Sequence, residues 1–130
     1  LTRRRAEDDG TPTELQKRYY SQRASAGMIV TEGTFPTVDS RGYENQPGIA
    51  DSDQAAGWAS IFEQIHQQGG TVVMQLMHAG RVSHPELTEG VTPIAPSALA
   101  VGGTTHVPSG KAEMPVPRAM KILPVLKRNS

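Results

Sequence analysis

Trp58, Ile61, Phe62 and Ile65 stand at i, i+3, i+4 and i+7, the spacing that puts side chains on one stripe of a helix. They predict a helix that starts near Asp51 or Ser52, either of which can cap it, and that turns this stripe to the core. Gly69 and Gly70 end it. The next residues, Thr71 to Met77, form a nearly continuous apolar run, read as a buried strand. Met28-Ile29-Val30-Thr31 has the same character, and without alternation both of its faces are expected to be covered. Strand, helix and strand in this order predict a parallel βαβ unit.

Upstream, Thr11-Pro12-Thr13-Glu14 reads as a helix start with Thr11 as cap, proline at N1 and Glu14 reaching back. The helix is expected from about Pro12 to Ala26, with Leu15, Tyr19 and Arg23 on one side and Gly27 as a left-handed stop. Beyond His78 the pattern changes. Six prolines and four glycines among residues 81–120 exclude a long helix there. A hairpin fits better, with Thr104–Val107 and Ala112–Val116 flanking Pro108-Ser109-Gly110. Long loops of this kind in a compact domain are usually lids or binding loops.

The chain has 130 residues, the size of one ordinary domain, and 36% of them are hydrophobic, enough for a core. With 13 Lys+Arg against 13 Asp+Glu, it lacks the basic excess that general nucleic-acid or membrane-surface binding needs. The basic cluster Arg3 to Arg5 is followed by Glu7, Asp8 and Asp9 and reads as a solvated, mixed-sign segment rather than a phosphate clamp. Without cysteine there is no disulfide, thiolate nucleophile or thiolate metal site, and no apolar run approaches the ~18 residues of a membrane span. A cytoplasmic protein without a membrane or nucleic-acid partner is expected.

In parallel α/β proteins ligands sit at the carboxyl ends of strands, which selects Thr31–Thr34 and Gln75–Arg81. Gln75, amid apolar neighbours, is a buried polar group that needs partners. Its carboxamide suits either neighbouring backbone or the edge of a heteroaromatic ring. Glu32 reads as an ion-pair partner in preference to a catalytic acid. His78 and His84 lack a third ligand at metal-site spacing and read as hydrogen-bonded structural histidines, His66 as solvated, and His106 as a hairpin residue without a partner. No phosphate loop, Gly-x-Gly-x-x-Gly turn or Gly-x-Ser-x-Gly elbow occurs.

Several stretches together carry a family likeness: Leu1-Thr2-Arg3-Arg4-Arg5-Ala6, Tyr19 to Gly27 leading into Thr31-Glu32-Gly33-Thr34, and Arg41-Gly42-Tyr43 with Pro47-Gly48-Ile49. Gln75 to His84 and Pro96-Ser97-Ala98 continue it in register. Over residues 1–120 the chain resembles the Old Yellow Enzyme family of flavin-dependent ene-reductases, in the branch that acts on maleimides, nitrate esters and enones. The resemblance implies an α/β fold, the N-terminal part of a (β/α)8 TIM barrel with FMN at the strand ends. It also implies hydride transfer from NAD(P)H through FMN to an activated alkene, whether enone, maleimide or nitro compound.

By position, the resemblance gives Thr2 to the flavin carbonyl, Gly33 to close backbone approach, Gln75 to the pyrimidine edge and Leu1 to a main-chain contact. Tyr43 and Met77 fall on the substrate side, Met77 in place of the tryptophan usual in this branch, and residues 104–116 form a hairpin beside the pocket. No catalytic residue and no metal ligand is assigned. Residues 121–130 depart from the family pattern, being basic and broken by Pro124, and are expected to be a divergent tail. The start at Leu1-Thr2 without methionine and this ending suggest ends that are cut or altered. The substrate-anchoring pair, the proton-donating tyrosine and the phosphate-binding segment of the family have no counterpart here.

A TIM barrel needs about 250 residues, so this chain is not expected to close one. The leading expectation is a truncated or split flavin oxidoreductase with a small-molecule alkene substrate. The alternative is a non-catalytic fragment held together by self-assembly or a complementing chain.

Overall fold

The structure, a computed structural model, describes residues 1–121. Its longest element is helix α2, Ser52–Gln67. Of the two capping candidates Asp51 does the work, its Oδ1 accepting from the amides of Asp53 at 2.9 Å and Gln54 at 2.8 Å. At the other end Gly69 adopts φ +78°, which L side chains resist. Gly69 then donates to the His66 carbonyl at 2.9 Å and Gly70 to that of Ile65 at 3.0 Å. This pairing satisfies the last carbonyls of the helix.

The stripe faces inward as its periodicity predicts: Trp58, Ile61 and Ile65 are buried, and Phe62 packs at their margin. Opposite them stand Tyr20 and Ala24, with Ile29 from β1 (Ile29–Val30) and Val72 from β2 (Val72–Val73). The Trp58 indole donates to the Gly48 carbonyl at 3.0 Å, which ties the loop before α2 to the core.

β1 and β2 are parallel, in register Ile29↔Val72 and Val30↔Val73, so the expected βαβ unit is present. The pairing resumes past a gap at Thr34↔Leu76. Burial on both faces is not found. Ile29 is 8% exposed and faces the helices, whereas Met28, Val30 and Val73 are 57%, 56% and 48% exposed. The helices cover one face of the sheet, and among the described residues nothing packs on the other.

Helix α1 spans Glu14–Ser21, shorter than expected at both ends. Its cap is Thr13, not Thr11: Thr13 Oγ1 accepts from the Gln16 amide, and Gln16 Oε1 accepts in return from the Thr13 amide at 3.0 Å. Thr11 is engaged elsewhere, its amide donating to Asp9 at 2.8 Å. The helix ends on Gln22, well before Gly27, which keeps an ordinary negative φ. The inward side carries Gln16 and Tyr20, one residue round from the predicted stripe, and Leu15 is 58% exposed.

Residues 81–120 contain no α-helix, as their prolines require. β3, Ile94–Ala95, pairs in parallel with β6, Arg118–Ala119. Between them β4 (Thr104–Val107) and β5 (Gly110–Glu113) form the expected antiparallel hairpin. Val107 pairs with Gly110, so the turn is Pro108-Ser109 alone and the second strand starts two residues earlier than predicted. The described residues make three two-stranded sheets and no closed barrel. Of the expected tail, residues 122–130 lie outside the described residues.

Ile65, fully buried at the centre of the core, tests this packing. Ile65→Ala should lower stability by about 2–5 kcal/mol, the usual cost of such a truncation. A shift of the urea midpoint followed by Trp58 fluorescence checks it.

Candidate functional site

The C-terminal end of β1 is organised by one carboxylate. Glu32 is 3% exposed and needs donors for both oxygens. Oε2 accepts from the Arg3 amide at 2.8 Å, and Oε1 from Gln16 Nε2 at 2.9 Å and the Tyr20 hydroxyl at 3.2 Å. The same phenol oxygen accepts from the Glu32 amide at 2.9 Å. Burial above all, with the Glu32 charge adding to it, pushes the Tyr20 phenol well above its ordinary range, so it stays a donor at neutral pH. Glu32 is thus neither the expected ion-pair partner nor open to a substrate. The Arg3 guanidinium lies instead over the Tyr19 ring, 3.6 Å from its centroid, with Arg23 equally close.

Through Arg3, the N-terminal segment is anchored beside the strand end. A Cβ placed on Gly33 would lie 2.8 Å from Met77 Sδ and 3.3 Å from Thr2 Oγ1. Three of the residues expected at the site, Thr2, Gly33 and Met77, therefore converge. Gly33 is buried, and a side chain there would require the flexible Met77 thioether to shift. The segment carrying Met77 is held by backbone bonds on either side of Thr34: its amide donates to the Gln75 carbonyl and its carbonyl accepts from the Met77 amide, both at 2.9 Å.

Gln75 is placed by its amide, which donates to Thr31 Oγ1 at 2.9 Å. Its side chain is exposed, which corrects the expectation of a buried amide. The apolar run that implied burial lies on a sheet covered from one side only. Leu1 is fully exposed and lines a groove with Met28, Ile29 and Val30. Tyr43 lies on a separate wall, around a cavity of about 260 Å³ shared with Val82, Thr104, Thr105, His106 and Met114. The hairpin thus stands beside Tyr43.

The remaining candidates take structural roles. His78 Nδ1 accepts from the Gly80 amide at 2.9 Å, and His84 Nδ1 from that of Glu86 at 3.2 Å. His66 is exposed, as is His106. Arg4 finds its acid 40 positions away, Arg4 Nη2 to Glu44 Oε2 at 2.9 Å, rather than in Glu7 to Asp9. Gln16, Tyr20 and Gln46 were not singled out from the sequence. The i, i+4 spacing of Gln16 and Tyr20 was available as a signal; Gln46, in a loop, offered none.

A model of the NADH:flavin oxidoreductase / NADH oxidase family matches residues 1–121. A Leishmania infantum protein described as a probable flavin mononucleotide-dependent alkene reductase is 36% identical over 92% of this chain and 34% of its own length. The structure of an old yellow enzyme homologue from Zymomonas mobilis superposes with a TM-score of 0.88 at 39% identity, covering 94% of this chain and 34% of that one. Morphinone reductase in complex with tetrahydroNAD gives 0.82 at 42% identity, covering 93% and 35%. The chain spans about a third of the length of these relatives.

Two substitutions test the site's architecture. Glu32→Gln replaces an acceptor with a donor facing Gln16 or the Arg3 amide and should cost about 1–3 kcal/mol, with faster amide exchange at Arg3. Gly33→Ala should cost a similar amount, about 1–3 kcal/mol, by overpacking. Added Met77→Ala should recover part of that loss in a double-mutant cycle, because it removes the atom the new methyl meets.

Proposed function

Because the chain belongs to the NADH:flavin oxidoreductase / NADH oxidase family, we propose that it is the N-terminal portion of an FMN-dependent oxidoreductase of the ene-reductase type. The observation that carries this reading is the convergence of Thr2, Gly33 and Met77 at one strand end, with the Gln75 carboxamide exposed on the neighbouring segment. These residues fit the polar edge of a flavin ring. Thr2 offers a hydroxyl, and the Gln75 side chain, without a hydrogen-bond partner among the described residues, offers donors and an acceptor together. None of the four is cationic, so they offer hydrogen bonds and not charge.

Bound there, FMN supplies hydride transfer between NAD(P)H and an activated alkene such as an enone, a maleimide or a nitro compound. Thr2 and Gln75 orient the ring, Leu1 adds a main-chain contact, and Gly33 lets Met77 pack close. Met77 and Tyr43 shape the substrate side, where a flexible thioether makes an adaptable wall. None of the residues assigned to this chain moves the substrate proton. Residues 1–120 carry this portion, and the sequence of residues 121–130 departs from the family pattern. A cytoplasmic location belongs to the same reading; among the described residues no helix is long and apolar enough to cross a membrane.

A second reading rests on the uncovered sheet face. Met28, Val30 and Val73 present an exposed apolar stripe, which suits a chain stable only through self-assembly or a complementing polypeptide. A Claviceps purpurea relative, 32% identical over 92% of this chain, is described as a probable inactive dehydrogenase, a description in keeping with this reading.

The readings separate by experiment. Alone, the chain should be colourless after desalting; a yellow monomer with stoichiometric flavin would refute its incompleteness. Mixed with a polypeptide carrying the last two-thirds of a relative, it should form a yellow complex that reduces an enone with NAD(P)H. A colourless, inactive complex favours the second reading. In an active complex Gln75→Ala should weaken FMN binding about tenfold, the worth of about 1.4 kcal/mol in hydrogen bonding.

A further inference from the structure

Gln46 is fully buried in a loop, yet both ends of its side chain are engaged. Oε1 accepts from the Gly42 amide at 2.9 Å, and Nε2 donates to the Gly33 carbonyl at 3.1 Å. One partner is a donor and the other an acceptor, so the orientation of the carboxamide is fixed by chemistry. Gly33 belongs to the strand end that faces Thr2 and Met77, and Gly42 immediately precedes Tyr43.

The segment around Gly42 is also fastened on its other side. The Ala79 amide donates to the Ser40 carbonyl at 2.9 Å, and the Ser83 hydroxyl donates to the Arg41 carbonyl. A Cβ on Gly42 would lie 2.6 Å from that of Ala79, so this segment rests directly on the stretch that follows Met77. Residues 40–42 therefore sit between two supports. One comes from residues 79–83; on the other side the Gln46 side chain reaches Gly33, beside the Thr37–Ser40 turn and the Arg41 guanidinium 5.7 Å from the Phe35 ring centroid.

We propose that Gln46 is a positioning residue, a strut that sets the separation between the Gly33 strand end and the loop presenting Tyr43. On the reading given under Proposed function, that separation is the distance between the flavin edge and the substrate wall. A carboxamide is required because the strut joins a carbonyl to an amide. A hydrocarbon side chain would leave both groups buried and unpaired. A carboxylate would hold Gly42 and repel Gly33.

The two ends can be read separately by NMR on the full chain. In Gln46→Ala, exchange of the Gly42 amide should quicken at least about tenfold while the Ile61 and Ile65 amides of α2 keep their protection. The Gly33 carbonyl carbon should move upfield as it loses its donor. In Gln46→Glu the Gly42 amide should stay protected while the Gly33 carbon still moves, a half-rescue that a general loosening would not produce. Unchanged Gly42 exchange in Gln46→Ala, or a rise shared equally by α2, would overturn the strut. In the complemented enzyme, both variants should raise KM for the enone more than they lower kcat. An equal fall in kcat with KM constant would refute the link to the substrate wall. A wild-type complex that takes no FMN would sink the functional reading, while the NMR comparison would still decide the strut.

Discussion

Burial of the Glu32 carboxylate is the constraint from which much of the architecture follows. An ionised group that is 3% exposed persists only with donors on both oxygens. The chain supplies three, from the Arg3 backbone, Gln16 and Tyr20. Supplying them fixes which side of α1 turns inward, because Gln16 and Tyr20 sit one turn apart and must both point at the strand end. It also fixes the N-terminal segment, since the Arg3 amide carries Thr2 to the side of Gly33. The aromatic core follows the same orientation: Tyr20, turned in to meet Glu32, stands 5.8 Å from the Trp58 ring centroid. One buried carboxylate thereby assembles the strand end at which Thr2, Gly33 and Met77 converge.

The second constraint is one-sided cover. A parallel sheet normally has both faces packed, and here α1 and α2 supply only one layer. The other face keeps Met28, Val30 and Val73 in the open, in a chain that spans about a third of its relatives' length. This arrangement also explains Gln75. Its exposed carboxamide belongs to the same incompletely covered side, so it is available to a ligand instead of being consumed by the fold.

Helix α2 was legible from the sequence to within a residue, because its stripe, cap and glycine stop agree with one another. The βαβ order was legible for the same reason. What failed was local inference about tertiary burial. Leu15, Tyr19 and Arg23 form the more apolar i, i+4 series, but the polar series of Gln16 and Tyr20 turned inward because a buried carboxylate outweighs one exposed leucine. The continuous run Thr71–Met77 says that a strand is present, not which of its faces will be covered. β3 and β6, two residues each and paired across 24 positions, carry no periodic signal at all. Of the six residues expected at the site, Thr2, Gly33 and Met77 lie together at one strand end, Gln75 lies on the adjoining segment, and Leu1 and Tyr43 stand apart.

The residues of the site divide by whether the fold already needs them. At Gly33 a side chain would meet Met77 and Thr2, so a substitution must displace the Met77 thioether with or without a bound ring. Loss of function in a Gly33 variant would therefore report packing as much as ligand contact. Glu32 is still more deeply committed, with every hydrogen bond internal. Gln75 is different: only its backbone is used, by Thr31 and Thr34, and its carboxamide makes no structural bond among the described residues. A long polar side chain held at a strand end by its backbone, with its own head group left free, gains its stabilisation when a partner arrives. On the proposed reading, Gln75 is consequently the position where a substitution reports ligand binding with the least interference from stability.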